Sequence, residues 1–462
     1  MSATTHFSFV LVYGLALWLG LYLIGRDPRS PRLLLTGLGL VSYALAVAGK
    51  LLVSVSSAAS FLVWVQWPLL LLPALLWTGA LLHLLPEESK LRRPFIRVWM
   101  FAVLPATLVL AGLVGSGTEL VFGSTGVLQV LIGAAVLLPM LASGCFVWWT
   151  WRGRRGRKAA AVLVLFTLFL ALSTVLILAP FTTFTQPWVL LTVGFDVVGL
   201  GLALAYFDAF DLGEALLSDM VRSFDAALLA ALVFGGQVAV VIWLSTGLSP
   251  PMMALVLAVV GTAIATTTFG DRLAAALDSV SLGRLSRERR ARSELRATAG
   301  ALPRRDPALD PATLDEEEFA RLTRRALGNF GDLPRLSASP LINLHLIDHR
   351  LSSPAASENP LERAAELKTV LAESVSRLKP RTQEDFGTSD EWRYYNALYF
   401  PYMAGIKPYR SRNPGYPKDP AAREALAWFR DTVPERTFYN WQNAAARLVA
   451  RDLLSRNASP SE

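Results

Sequence analysis

Residues 126–179 read GVLQVLIGAAVLLPMLASGCFVWWT, then WRGRRGRK, then AAAVLVLFTLFLALSTVLILA. Two apolar runs without a charge flank a short loop that holds Arg152, Arg154, Arg155, Arg157 and Lys158. At about 1.5 Å per residue, a run of about twenty apolar residues crosses a hydrocarbon core of about 30 Å. No water is present there to satisfy backbone N–H and C=O groups, so each run must close its hydrogen bonds internally as an α-helix. The pattern therefore predicts an all-α fold built on a polytopic helical membrane bundle.

Outward from this pair, the same reading yields nine spans: 6–24, 33–53, 61–85, 96–114, 126–150, 159–179, 188–207, 226–245 and 252–269. They account for a chain of 462 residues that is 53% hydrophobic yet carries a net charge of +8. Cations gather in alternate loops. Arg26, Arg29 and Arg32 follow the first span, and Lys90, Arg92, Arg93 and Arg97 follow the third. Loops 54–60, 115–125, 180–187 and 246–251 contain neither lysine nor arginine. Cytoplasmic loops carry the excess of positive charge, so the N-terminus is expected outside and the chain after the ninth span in the cytoplasm. The expected location is the inner (plasma) membrane, with the lipid bilayer as the first partner. The N-terminus lacks the basic start of a cleaved signal peptide. Trp64, Trp67, Trp148, Trp149, Trp151 and Trp188 fall near the expected interfaces, as an aromatic belt would.

Charge inside a span is costly and usually faces the bundle interior. Asp196 lies well within the seventh span and Lys50 near the outer end of the second. One reading is a ligand or ion site of Asp196, Lys50 and Gln66, with Gln129 and Gln237 as further polar neighbours. The other is that Lys50 snorkels to the interface and Asp196 is a structural hydrogen bonder. Asp208 and Asp211 form a D-x-x-D pair that could chelate a cation, cap the next helix or meet the basic loops.

Several chemistries find no support. The single cysteine, Cys145, permits neither an internal disulfide nor a cysteine-based metal centre. His345 and His349 stand at i and i+4, but a metal would need further ligands. No P-loop, no G-x-G-x-x-G and no G-x-S-x-G occurs. The chain is expected to be no enzyme and to use no cofactor.

The phrase LALAYFDAFDL at 202–212 closes the seventh span. With the topology before it, this phrase resembles the seven-span sensor region at the N-terminus of some bacterial histidine kinases. The resemblance implies a sensor unit over 1–225. The chain departs from that pattern, because two further spans occupy 226–270 where an output domain would begin. Residues 271–312 then form a juxtamembrane helix and a proline-rich linker, with Arg284, Arg287, Arg289, Arg290, Arg292 and Arg296.

From 313 to 462 the spacing predicts a helical domain without strands. Helices are expected to open at Thr313 with a threonine cap, and to cover 336–351, 360–378, 391–403, 421–431 and 433–454. The last reads VPERTFYNWQNAAARLVARDLL, with Thr432 as its expected N-cap and Glu435 as the capping-box partner. Phe438, Trp441, Ala445, Leu448 and Val449 mark one apolar face; Arg436, Asn440, Asn443, Arg447 and Arg451 mark a polar one. This stretch resembles the recognition helix of a sigma-region-4 or LuxR-like helix-turn-helix. LSASPLINL at 336–344 resembles the approach to such helical output modules. The resemblance implies that Glu435, Arg436, Thr437 and Asn440 meet base edges and that Arg447 and Arg451 touch phosphates. Charge runs the same way: 393–462 holds 11 Lys and Arg against 6 Asp and Glu, whereas 271–392 holds 19 against 20. The expected function is a membrane-bound signal-transduction protein that regulates transcription, with DNA and a second copy as partners. A scaffold that binds a cytoplasmic protein, or a transporter working through Asp196 or Lys50, are the alternatives.

Overall fold

A computed structural model describes residues 3–55, 62–85, 92–115, 125–151, 157–178, 186–212, 216–246, 249–281, 292, 295–296, 299, 310–351, 359–381, 386–406, 408–409 and 419–458; side chains at several helix ends within these ranges are not described. Every regular element among the described residues is helical, as the spacing predicts. The chain forms two compact units. One comprises Met1–Asp208 and Asp219–Leu277, the other Ala209–Ser218 and Asp278–Glu462.

Nine helices of the first unit fall on the nine predicted spans. They are α1 (Ala3–Arg26), α2 (Pro31–Val55), α3 (Leu62–Leu84), α4 (92–115), α5 (Thr125–Trp151), α6 (Arg157–Leu178), α7 (Gln186–Leu212), α8 (216–246) and α9 (Pro250–Thr268). Among the described residues eight of them are long and apolar enough to cross a membrane; α6 is apolar over the shorter stretch Ala160–Leu176. The chain is thus a multi-pass membrane protein. Large apolar side chains on its outer helices are bare, including Phe101 at 73% and Trp243 at 83% exposure. Such surface is costly in water and is at home among acyl chains. Trp148, Trp149 and Trp188 are also exposed, in keeping with an interfacial belt.

The bundle is held by close approach and scattered hydrogen bonds. A Cβ on Gly20 of α1 would lie 2.8 Å from the Gly37 carbonyl oxygen, and one on Gly37 would lie 2.7 Å from the Gly20 carbonyl oxygen. These two glycines let α1 and α2 meet backbone to backbone, the usual device of helices packed in lipid. Trp99 sits in a π-turn of α4 (Trp99–Val103), donates its indole N–H to the Leu75 carbonyl at 2.9 Å and covers Gly79 of α3. Trp77 of α3 donates to the Thr167 hydroxyl of α6 at 2.9 Å. After α9 one further helix, α10 (Gly270–Ser281), belongs to the juxtamembrane stretch.

The second unit contains α11 (Glu316–Gly328), α12 (Pro360–Ser376), α13 (393–403), α14 (Pro420–Asp431) and α15 (Glu435–Ala458). Helix α15 passes through two hydrophobic cores. Its first turns bring Phe438 to Phe400, Ile406, Leu426, Phe429 and Val433. Its later turns bring Ala445, Val449 and Leu453 to Phe319, Leu341, Leu367 and Leu371.

Three expectations are corrected here. Asp315, not Thr313, caps α11, accepting from the Glu318 N–H at 2.7 Å. The expected helix 336–351 is broken into Leu333–Ser337, a 3-10 turn at Pro340–Asn343 and one turn at His345–Asp348. Ser339 and Leu344 adopt extended backbone, and Pro340 brings no N–H to continue a helix. The buried Arg363 of α12 fixes this irregular stretch, bonding the Ile342 carbonyl at 2.9 Å and the Asp348 carboxylate at 2.5 Å. The third concerns Arg26, predicted in a loop: it is the last residue of α1, and its side chain is buried.

Candidate functional site

Helix α14 ends at Asp431 and α15 starts at Glu435, so three residues make the turn. The Thr432 N–H still bonds the Trp428 carbonyl at 2.9 Å, and the Phe438 N–H bonds the Pro434 carbonyl at 3.0 Å. Thr432 therefore closes α14 rather than capping α15, and the helix begins two residues later than predicted. A residue that sequence reasoning missed stitches this turn. The Tyr409 hydroxyl lies 2.7 Å from both the Phe429 and the Val433 carbonyl oxygens. Burial, with Glu435 and Tyr439 nearby, pushes the phenol up to about 12, so it stays a neutral donor. Arg430 adds an Nε–H bond to the Pro408 carbonyl at 3.1 Å. Aromatic pairs lock the two helices: Phe429 and Phe438 meet edge to face at 5.0 Å, and Trp428 and Trp441 stack at 5.9 Å.

The rigid turn presents the predicted polar residues. Glu435, Arg436, Asn440, Arg447 and Arg451 are exposed, and Thr437 is half-buried. At about 100° per residue, Arg436, Asn440, Arg447 and Arg451 share one stripe about 22 Å long. Arg451 is engaged with Glu316 of α11 at 2.5 Å. The buried face differs from the expected one. Leu448 is exposed, while Gln442 is buried and donates to the Ala397 carbonyl at 3.1 Å. Apolar spacing alone could not place a buried glutamine, because its partner lies 45 residues away.

Within the membrane unit, Asp196 of α7 is buried and accepts a short hydrogen bond from Ser173 of α6. Tyr43 of α2 donates to the Leu190 carbonyl and lies against Gly194, which links α2 to the same stretch of α7. Lys50 and Gln66 are half-buried near the ends of α2 and α3 that flank residues 56–61, and Gln237 is exposed on α8. The side chains of Gln129, Asp208 and Asp211 lie outside those described. His345 and His349 are exposed, and no cluster of metal-ligating side chains occurs among the described residues.

A second constellation, not foreseen, joins α1 to α8. Tyr22 donates its hydroxyl to Asp219 at 2.8 Å, Arg26 pairs with Asp219 at 3.4 Å, and Trp18 donates to Ser223 at 3.2 Å. Trp18 also meets Phe224 at 4.9 Å. One acid, one cation and two aromatic donors thus hold the start of an otherwise lipid-exposed helix to α1.

These features define the class: a multi-pass α-helical membrane protein with a separate helical unit. In comparisons with known protein families, curated proteins and solved structures, no match was found.

Proposed function

We propose that the protein is a membrane-bound signal-transduction protein whose C-terminal helical unit faces the cytoplasm and acts on DNA. The carrying observation is the α15 stripe. A three-residue turn fixed by Tyr409 leaves Arg436, Asn440, Arg447 and Arg451 outward on a helix whose opposite face is buried. A major groove takes one helix, and its base edges and phosphates ask for these donors. The membrane bundle is the sensing part in this reading, with Asp196 at its polar interior. Titration of the full-length protein, held in lipid nanodiscs, with labelled duplex DNA tests the reading. Binding that weakens steeply with salt, and falls on Arg436→Ala, supports it. Absence of binding at low salt rejects it.

Tyr439 and Leu448 favour a second reading. Both are exposed and flank the stripe on either side. An apolar rim around arginines suits a protein surface, which would make the unit a scaffold or adaptor. In that case DNA does not compete with the captured partner.

A further inference from the structure

Helix α10 follows α9 after one non-helical residue, Phe269, at φ −101° and ψ 15°. Its first turn is moored to the membrane bundle. Arg272 donates to the Gly25 carbonyl near the end of α1 at 2.9 Å, and its guanidinium stands 5.3 Å from the centre of the Phe269 ring. Leu273, Leu277 and Val280 are 49%, 59% and 82% exposed. Spaced four and three apart, they form one stripe along the helix. Asp271 and Asp278 fall on the opposite side. Asp278 is the buried residue of this helix, held by Arg296 at 2.5 Å and Arg292 at 3.3 Å.

A twelve-residue helix is marginal in water on its own, and bare leucines do not help it. The preceding helix α9 already stands in the bilayer, with Leu255 among its exposed residues. The leucine stripe therefore begins just past the end of a helix long and apolar enough to cross the membrane. The acids point away from where anionic headgroups would be. Arg284, Arg287, Arg289 and Arg290 follow in the sequence and match such headgroups in sign, whereas Arg292 and Arg296 are engaged with Asp278.

We propose that α10 is an interfacial helix. It lies at the boundary of headgroups and acyl chains, with Leu273, Leu277 and Val280 immersed, Asp271 turned to water and Asp278 covered on that same side by Arg292 and Arg296. The occupant of the exposed stripe is the bilayer surface itself. This reading does not depend on DNA binding.

The test uses the full chain with Cys145→Ser, carrying a fluorophore at Leu277→Cys or, separately, at Ala275→Cys. Each protein is reconstituted in vesicles of phosphatidylcholine and phosphatidylglycerol. Quenchers are placed either on the lipid chains or in the buffer as iodide. The expected result is that the label at 277 responds to the lipid-borne quencher and the label at 275 to iodide. Three results overturn the proposal. Both labels responding to iodide means a helix standing free in water. Both responding to the lipid quencher means a continuation of the span. A label at 277 shielded from both quenchers means that protein, such as a second copy, covers the stripe.

Discussion

Arg26 at the end of α1 stands 3.4 Å from the Asp219 carboxylate at the start of α8, and its side chain is only 1% exposed. The cation is thus shut away with the Asp219 carboxylate and the Tyr22 hydroxyl beside it. Removing one partner of a buried pair strands the other charge, which costs about 3–5 kcal/mol. Asp219→Ala is therefore expected to lower the thermal midpoint of the purified protein strongly. Asp219→Ala combined with Arg26→Met should recover much of that loss, because no charge is left stranded. Equal midpoints for wild type and the single variant would show that the pair contributes nothing.

Tyr409 concerns the C-terminal unit. Its one hydroxyl proton is shared between two carbonyls at the α14–α15 turn. Tyr409→Phe keeps the ring against Phe438 and deletes the hydrogen bond. A loss of about 1 kcal/mol is expected from chemical unfolding. Amide exchange should quicken at Thr432 and Phe438 before it does along the later turns of α15.

Acid should loosen the far end of the same helix. The Arg350 hydrogen bond, with Arg456 adding to it, holds Glu373 below the ordinary glutamate range. The folded state thus favours the ionised form. Its contribution is complete above the ordinary value of about 4.3 and fades as pH falls through the lower folded value. Urea midpoints measured from neutral pH downward should drop at the acid end, below the ordinary glutamate range, and Glu373→Gln should flatten that drop while lowering the neutral plateau.

Gly37→Ala tests the crossing of α1 and α2. The added methyl would meet the Gly20 carbonyl, which is backbone and cannot swing aside. A cost of about 1–3 kcal/mol is expected, read as a lower thermal midpoint in detergent. Gly49→Ala, where open space surrounds the added carbon, serves as the control and should leave the midpoint unchanged.

The membrane helices were legible because length and apolarity suffice to define them. The start of α8 was less so: its helix begins at Leu216, ten residues before the predicted span, since Asp219, Arg222 and Asp225 hid a helix behind charge. Turns decided by distant partners could not be read locally. Thr432 has the right side chain for a cap, yet the α14 ladder claims its N–H first. Pro340 beside Ser339 was a breaker signal in plain view, and apolar spacing across it concealed the break. Of the candidate site, the arginine stripe was legible from helical period alone. Tyr409 and Gln442 were not, because their roles arise from carbonyls reached only after folding.

Helix α15 is a wall common to two rooms: Phe438 closes one and Leu453 the other. A strut of this kind does not bend halfway at small cost, so whatever tilts one end must tilt the other. The arginines along its bare edge would then swing together as a ruler swings, by an amount that grows with distance from the pivot.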